Sequence, residues 1–230
     1  MTVTLTPFSN LGNTVATTRQ EYPEWHQGRT RYGLWALEID SPEVLERFTR
    51  AQLALADYLL PQYQRQPHIT LYVCGFLDWL APQQPTANDN FSRQRLELQC
   101  SQLSERLRDV SSRGSGFHLQ IGGIDSFSSA PYLQVIDPNG SITRLREVCH
   151  SSSALIDTHE FRTSAFKPHL TLGLYREAFA CRPLAQRFER LNQQLGLKAQ
   201  LPLTVKALHF MSYASHSVGS PLRTELSLAL

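Results

Sequence analysis

The sequence carries little excess charge of either sign, and it lacks any long apolar run. Its 230 residues include 22 Lys and Arg against 20 Asp and Glu, which gives a formal net charge of +2. This balance is too weak to drive nonspecific binding to nucleic acid or to an anionic membrane. No stretch approaches the roughly 18 consecutive apolar residues of a membrane-spanning helix, so we expect no membrane partner. Any anionic ligand must therefore be held by a local site.

Cysteines and familiar catalytic motifs are equally sparse. The 4 cysteines lie far apart, without CxxC or zinc-type spacing, which favours free thiols in a reducing, cytoplasmic compartment. Residues 1–22 lack a basic region followed by an apolar run, so we expect no export signal. The chain also lacks HxH, HExxH, a Walker loop, GxSxG and an aspartate-rich metal motif. We therefore expect neither a metal ion nor a cofactor.

The sequence does contain a mixed succession of strand-like and helix-like segments. Hydrophobic residues make up 41% of the chain, which suffices for a full core. Alternation and β-branched or aromatic content predict strands at residues 34–39, 67–76, 117–121, 131–136, 168–175, 203–212 and 223–230, with Gly122 and Gly123 ending the third. Helical periodicity and helix-start signals predict helices at residues 40–60, 91–111, 141–150 and 183–195. This order predicts an α+β fold, with residues 1–30 as an irregular N-terminal extension and residues 31–230 as one domain.

Two segments of the chain repeat each other. Pro67-His-Ile-Thr-Leu71 matches Pro168-His-Leu-Thr-Leu172, which begins 101 residues later. A bare His-x-Thr is expected by chance about half a time in a chain of this composition, whereas the longer match is expected about a thousandth of a time. The repeat is therefore a strong functional signal.

The spacing within each repeat places the histidine and the threonine on one face of a strand. Side chains alternate between faces, so the aliphatic residues of each repeat share the other face. Because the aliphatic faces must be buried, the polar faces are predicted to line a cleft between two lobes related by a pseudo-twofold axis. The residues predicted to share the polar faces are His68, Thr70 and Tyr72 in the first repeat, and His169, Thr171 and Tyr175 in the second.

Two opposed imidazoles suit the transfer of a phosphodiester. One removes a proton from the attacking water or hydroxyl, and the other donates a proton to the departing oxygen. Histidine titrates near neutrality, so both protonation states are available. We therefore predict that His68 and His169 are catalytic, and that the hydroxyls of Thr70 and Thr171 hold nonbridging phosphate oxygens.

Other residues near the repeats are weaker candidates. Tyr72 and Tyr175 lie on the predicted polar faces and are expected either to stack on a base or to pack in the core or rim. Lys167 is a candidate nucleotide contact that attracts phosphate, as is Arg65, although flanking basic residues are more often simply solvated. A flap over the site is a further hypothesis for the aromatic and basic residues Trp25, His26, Arg29 and Arg31.

The paired motifs resemble those of the 2H phosphoesterase superfamily, which includes bacterial 2′,5′ RNA ligase-like proteins and RNA 2′,3′-cyclic phosphodiesterases. The family signature is a pair of H-x-[ST]-x motifs, matched here at His68-Ile-Thr-Leu71 and His169-Leu-Thr-Leu172. The resemblance implies a bilobal α+β fold with antiparallel sheets, outer helices and a central cleft. It also implies that the two histidines are acid and base while the two threonines bind phosphate. Leu174 lies where many members carry an arginine.

The resemblance implies metal-independent opening of a 2′,3′-cyclic phosphate, at an RNA end or on a small nucleotide, to a 2′-phosphate. Two alternatives stay open within the same chemistry: a 2′,5′ RNA ligase, and a phosphodiesterase acting on 2′,5′-linked or cyclic oligonucleotides. A non-catalytic module that binds RNA ends or nucleotides is the alternative of another class. The expected partners are RNA ends or small nucleotide phosphodiesters, and the expected oligomeric state is a monomer.

Overall fold

One continuous sheet organises the described part of the chain. The computed structural model describes residues 7–17, 22–61, 63–80, 90–111, 117–151, 166–217 and 219–229. The strands are β1 Arg31–Glu38, β2 His68–Leu77, β3 Asn90–Phe91, β4 Phe117–Ser126, β5 Pro131–Ile136, β6 His169–Thr171, β7 Leu201–Val205, β8 Ala207–Ala214 and β9 Arg223–Ala229. They follow the order β7-β4-β5-β6-β2-β1-β8-β9 with antiparallel neighbours, and β3 pairs with β2 in parallel.

Two lobes meet in the middle of this sheet, where β6 of one lobe pairs with β2 of the other. The helices are α1 Tyr22–His26, α2 Pro42–Ala54, α3 Arg93–Ser111, α4 Ser141–Ser151 and α5 Cys181–Gln194. Helix α4 packs on β2 and α5 packs on β4, so both lobes bury apolar side chains under helices. The α+β class and the bilobal arrangement predicted from the sequence are thus confirmed. Among the described helices, none combines the length and apolar character needed to cross a membrane.

The four cysteines are free thiols in this fold, as the sequence predicts. Cys74, Cys149 and Cys181 are buried, and Cys100 is half-buried.

The strand that begins at Phe117 does not end at the glycine pair. It continues to Ser126, and its register against β5 shifts between Ile121 and Ile124. The extra residue is accommodated as a bulge, which bends a strand without ending it. A Cβ atom on Gly123 would lie 2.7 Å from Asn192 Oδ1. Glycine at position 123 therefore leaves room for the Asn192 side chain. Asn192 accepts a hydrogen bond from the Ile124 amide and donates one to the Ile124 carbonyl.

Two other predicted strands are wrong in extent. The segment 203–212 is split at Lys206, because β7 pairs with β4 in one lobe while β8 pairs with β1 in the other. Alternation continues across this crossover, so periodicity alone does not reveal it. The segment 168–175 forms a regular strand only over 169–171, and Tyr175 then makes an isolated bridge to Leu59.

The N-terminal segment contacts both lobes. Phe8 stacks on Phe188 of α5 with ring centroids 5.6 Å apart. Trp25 packs on Phe76 at 4.8 Å, and the Arg29 guanidinium lies 3.7 Å above the same ring. Phe76 lies near the end of β2 opposite to His68. The contacts of Trp25 and Arg29 therefore do not support the hypothesis of a flap over the site. The division of the chain at residue 30 stays a prediction.

Candidate active site

The two motifs lie on adjacent antiparallel strands, where Ile69 of β2 pairs with Leu170 of β6. In an antiparallel ladder the next residue on one strand faces the preceding residue on the other. The register therefore sets His68 opposite Thr171 and Thr70 opposite His169, all on the face turned away from the Ile69–Leu170 pair. We call these four side chains the His/Thr quartet. By sheet geometry the Cβ atoms of the two histidines are diagonal neighbours, about 7–8 Å apart.

Each imidazole of the quartet is fixed by the same backbone contact. Nδ1 of His68 lies 2.8 Å from the Gln66 carbonyl oxygen, and Nδ1 of His169 lies 2.7 Å from the Lys167 carbonyl oxygen. A carbonyl oxygen only accepts hydrogen bonds, so Nδ1 carries the proton in both rings. Nε2 is consequently the nitrogen that gains or loses a proton in each imidazole.

Burial disfavours the protonated form of both imidazoles. Only 6% of His68 is exposed, and this burial lowers its pKa to about 4. The hydrogen bond to the Gln66 carbonyl opposes this shift, and the charges of Arg65 and His169 add smaller lowering contributions. Burial also lowers the pKa of His169, against the opposing effect of its hydrogen bond to the Lys167 carbonyl. Both rings are therefore neutral at pH 7 in the free protein, and each offers an Nε2 lone pair.

An open cleft of about 1140 Å³ lies over the quartet, and all four of its side chains line the cleft. Both lobes contribute to the walls, as the sequence predicts for a pseudo-twofold arrangement. Among the described residues, the cleft is lined by three cationic side chains, Arg65, Arg146 and Lys167, and by two carboxylates, Asp125 and Glu189. The described lining thus carries a small excess of positive charge.

A cluster of aromatic and acidic side chains surrounds His169. The rings of Phe127 and Tyr132 lie 4.9 and 5.4 Å from the His169 ring. The Tyr132 hydroxyl donates a 3.0 Å hydrogen bond to Asp125 Oδ2, and Lys167 Nζ lies 4.0 Å from the same oxygen. Burial, with the charge of Asp125, raises the pKa of Tyr132, so its hydroxyl stays protonated and keeps donating.

Four other residues at the cleft have no role in the sequence-based prediction: Arg146, Asp125, Phe127 and Tyr132. Alternation along β4 and β5 predicts which of their residues share a face, but it does not reveal that β5 pairs with β6. That pairing sets Tyr132 opposite Thr171 and brings the hairpin to the cleft.

Tyr72 does not lie on the face predicted for it. In the pairing of β1 with β2, Ala36 faces Thr70 and Trp35 faces Tyr72, which leaves Leu71 as an extra residue. Such a bulge reverses the faces beyond it, because the side-chain period of a strand is two. Tyr72 is consequently 1% exposed and packs against other core residues. Val73 lines the cleft in its place.

Tyr175 is also buried, with no exposed surface. Its hydroxyl lies 2.6 Å from Ser126 Oγ. Stacking of Tyr72 or Tyr175 on a bound base does not fit this arrangement, and the alternative of core packing does. Lys167, by contrast, has about half of its side chain exposed and lines the cleft. Leu174 lines the cleft as an apolar side chain.

Comparison with models of known protein families shows the class of protein to which this two-lobed chain belongs. A family model described as the 2'-5' RNA ligase superfamily matches residues 40–217. The match covers most of the chain and both motifs. The chain therefore belongs to the 2'-5' RNA ligase superfamily. A search of curated protein sequences gave no match.

Several solved structures align with this chain at low sequence identity. A crystal structure of a phosphoesterase aligns with a TM-score of 0.50 and 14% identity, covering 87% of this chain and 98% of that one. E. coli LigT complexed with ATP aligns with a TM-score of 0.48 and 16% identity, at the same coverage. A conserved protein of unknown function from Agrobacterium tumefaciens aligns with a TM-score of 0.49 and 11% identity, covering 88% and 86%. The phosphoesterase likeness supports the fold alone.

Proposed function

We propose that this protein is a metal-independent phosphodiesterase that opens 2′,3′-cyclic phosphates, on RNA ends or small nucleotides, to 2′-phosphates. The observation that carries the proposal is the register of β2 against β6, which sets each histidine of the quartet opposite a threonine in one cleft. A single phosphate over the quartet meets two proton carriers and two hydroxyl donors. Membership of the 2'-5' RNA ligase superfamily supports RNA phosphodiester chemistry.

In the proposed reaction, water attacks the phosphorus atom of the cyclic phosphate. One imidazole takes a proton from this water through Nε2 while the bond from phosphorus to the ribose 3′ oxygen breaks. The other imidazole gives its Nε2 proton to that oxygen, which leaves a 2′-phosphate and a 3′-hydroxyl. The hydroxyls of Thr70 and Thr171 donate to the nonbridging oxygens, and Lys167 adds positive charge at the rim of the cleft.

The different surroundings of the two histidines favour one assignment of roles. His68 is the more deeply buried and lies near Arg65, and its pKa is lowered to about 4. A group that stays neutral suits the base, so we assign His68 to activation of water. His169 is less buried and takes up a proton more readily when an anion binds, so we assign it to protonation of the leaving oxygen.

The main test uses an oligoribonucleotide that ends in a 2′,3′-cyclic phosphate, incubated with the protein in excess EDTA. We expect a 2′-phosphate product, and a rate at least about 100-fold lower in His68→Gln and in His169→Gln. His118→Gln serves as the matched control, because His118 is exposed on β4. Wild-type turnover in both quartet variants would refute the proposed mechanism. Tight binding of the oligonucleotide without any product would favour a binding module instead.

A second substrate tests the roles of the two histidines. Replacing the leaving 3′ oxygen by sulfur removes the need for a general acid, because a thiol has a pKa near 8.5. The sulfur substrate should restore the rate of His169→Gln much more than that of His68→Gln. The opposite pattern would reverse the assignment.

The family name favours one alternative, which is action on 2′,5′ linkages. The same acid and base work in either direction, so ligation of a 2′,3′-cyclic end to a 5′-hydroxyl uses the same residues. Incubation with 2′,5′-linked and 3′,5′-linked dinucleotides tests whether the protein acts on 2′,5′ linkages. Selective cleavage or formation of the 2′,5′ isomer would favour this alternative.

A further inference from the structure

Arg146 is a buried cation in the wall of the cleft that the proposed reaction does not use. It lies on α4, is 4% exposed, and lines the cleft. The guanidinium of arginine is a planar, delocalised cation. Arg146 therefore brings a positive charge to the wall of the cleft.

Two of the contacts of Arg146 hold its guanidinium in place. Its Nη1 donates a hydrogen bond to the carbonyl of Leu71, which is the extra residue of the bulge in β2. The centre of the guanidinium also lies 3.7 Å from the centre of the Phe166 ring, three residues before His169. Stacking on a ring and bonding to a backbone carbonyl fix the plane of the group. Arg146 is thus positioned relative to both motifs.

These contacts place Arg146 at one end of the quartet. Because β2 and β6 are antiparallel, one end is formed by His68 with Thr171 and the other by Thr70 with His169. Leu71 follows Thr70 on β2, and Phe166 precedes His169, so both contacts of Arg146 lie beyond the second end. Arg65 precedes His68 and lies beyond the first end, where its charge lowers the pKa of His68.

We propose that Arg146 binds a second phosphate group of the substrate, the 5′-phosphate of the nucleotide that carries the cyclic phosphate. The proposal rests on the function proposed above and narrows its substrate to RNA ends and 5′-phosphorylated nucleotides. A guanidinium has five N–H donors in a planar fork, so it can hold the Leu71 carbonyl and also meet phosphate oxygens. A nucleoside 2′,3′-cyclic phosphate has one phosphate, which the quartet takes. A cation beyond the quartet favours substrates that carry another.

The kinetic test compares adenosine 2′,3′-cyclic phosphate with the same nucleotide carrying a 5′-phosphate. In the wild-type protein we expect the 5′-phosphate to raise kcat/KM by about 10- to 100-fold, as for a hydrogen bond between charged groups. In Arg146→Gln this ratio should fall close to one, although the amide still offers an N–H to the Leu71 carbonyl. Arg146→Lys keeps the charge without the fork and should give an intermediate ratio.

Arg144→Gln is the matched control for that ratio. Arg144 lies two residues earlier on α4 and donates to the Asn139 carbonyl. Residues two apart point to different sides of a helix, so this variant should keep the wild-type ratio. A ratio near one in the wild-type protein, or an unchanged ratio in Arg146→Gln, would overturn the proposal.

A binding measurement separates this proposal from the proposed function. Calorimetry compares adenosine 2′-monophosphate with adenosine 2′,5′-bisphosphate, and neither ligand requires turnover. We expect the bisphosphate to bind the wild-type protein about 10- to 100-fold more tightly, and Arg146→Gln to lose this difference. If neither cyclic nucleotide reacts, the proposed function fails while the ratio of the two Kd values still decides the Arg146 site. Equal Kd values in the wild-type protein would refute that site.

Discussion

Lowering the pH should destabilise the folded protein through His68. Burial lowers the pKa of this imidazole to about 4 in the folded protein, whereas an unfolded chain keeps a histidine pKa near 6.5. Between these two values the unfolded chain binds a proton that the folded protein does not. The free energy of unfolding therefore falls as the pH falls through this range, and the loss is complete below about pH 4.

The size of this effect follows from the two pKa values. The full difference corresponds to about 3 kcal/mol, and about 2 kcal/mol of it is already lost at pH 5. Burial also lowers the pKa of His169, which adds a loss of the same sign. A comparison that removes His68 alone isolates its share, because the other titrating groups are common to both proteins.

Urea unfolding of the wild-type protein and of His68→Gln at pH 7 and pH 5 measures this share. Glutamine does not titrate, and its amide can still donate to the Gln66 carbonyl that His68 contacts. From pH 7 to pH 5 the wild-type protein should lose about 2 kcal/mol more than the variant. His118→Gln, at an exposed position on β4, should follow the wild-type curve. Parallel curves for the wild-type protein and His68→Gln would refute the claim that the folded protein keeps this imidazole neutral.

The remaining predictions concern turnover and packing. Under the proposed mechanism, kcat/KM on a cyclic phosphate should be highest below pH 6.5, because burial lowers the pKa of both histidines of the quartet and the acid must be protonated. An optimum above pH 7 would contradict this. Thr70→Val and Thr171→Val should each lower kcat/KM about 10-fold or more, with Thr204→Val, exposed on β7, as the control. Values within about twofold of wild type would remove the threonines from the phosphate site. Gly123→Ala should destabilise the protein by about 1–3 kcal/mol, because the added Cβ would lie 2.7 Å from Asn192 Oδ1. Urea unfolding measures this change, and unchanged stability would show that the Asn192 side chain moves aside without cost.

The sequence predicts the chemical core of the site because two residues of one strand, separated by one position, share a face. His68 with Thr70, and His169 with Thr171, need only local extended backbone to be placed together. Tyr72 lies only two residues further on, yet the bulge at Leu71 reverses its face. A bulge depends on the partner strand as well as on the strand itself, so local alternation does not predict it.

Residues that reach the cleft from other elements could not be predicted in the same way. Arg146 arrives from a helix, and Tyr132 arrives because β5 pairs with β6. Both depend on the order of strands in the sheet, and non-local pairing leaves no periodic signal in the sequence. The crossover at Lys206 is hidden for the same reason, since both of the strands it joins alternate normally.

The repeat explains why the two histidines have matching geometry, and their surroundings explain how they can differ in role. Each imidazole donates through Nδ1 to the carbonyl two residues earlier, which follows from the shared local sequence. The non-repeated neighbours break this equivalence, with a cation near one ring and an aromatic cluster around the other. A symmetric pair with equal pKa values would have no preferred direction for moving a proton. In the proposed mechanism, unequal burial supplies that preference, so residues that the repeat does not share set which imidazole acts as the acid and which as the base.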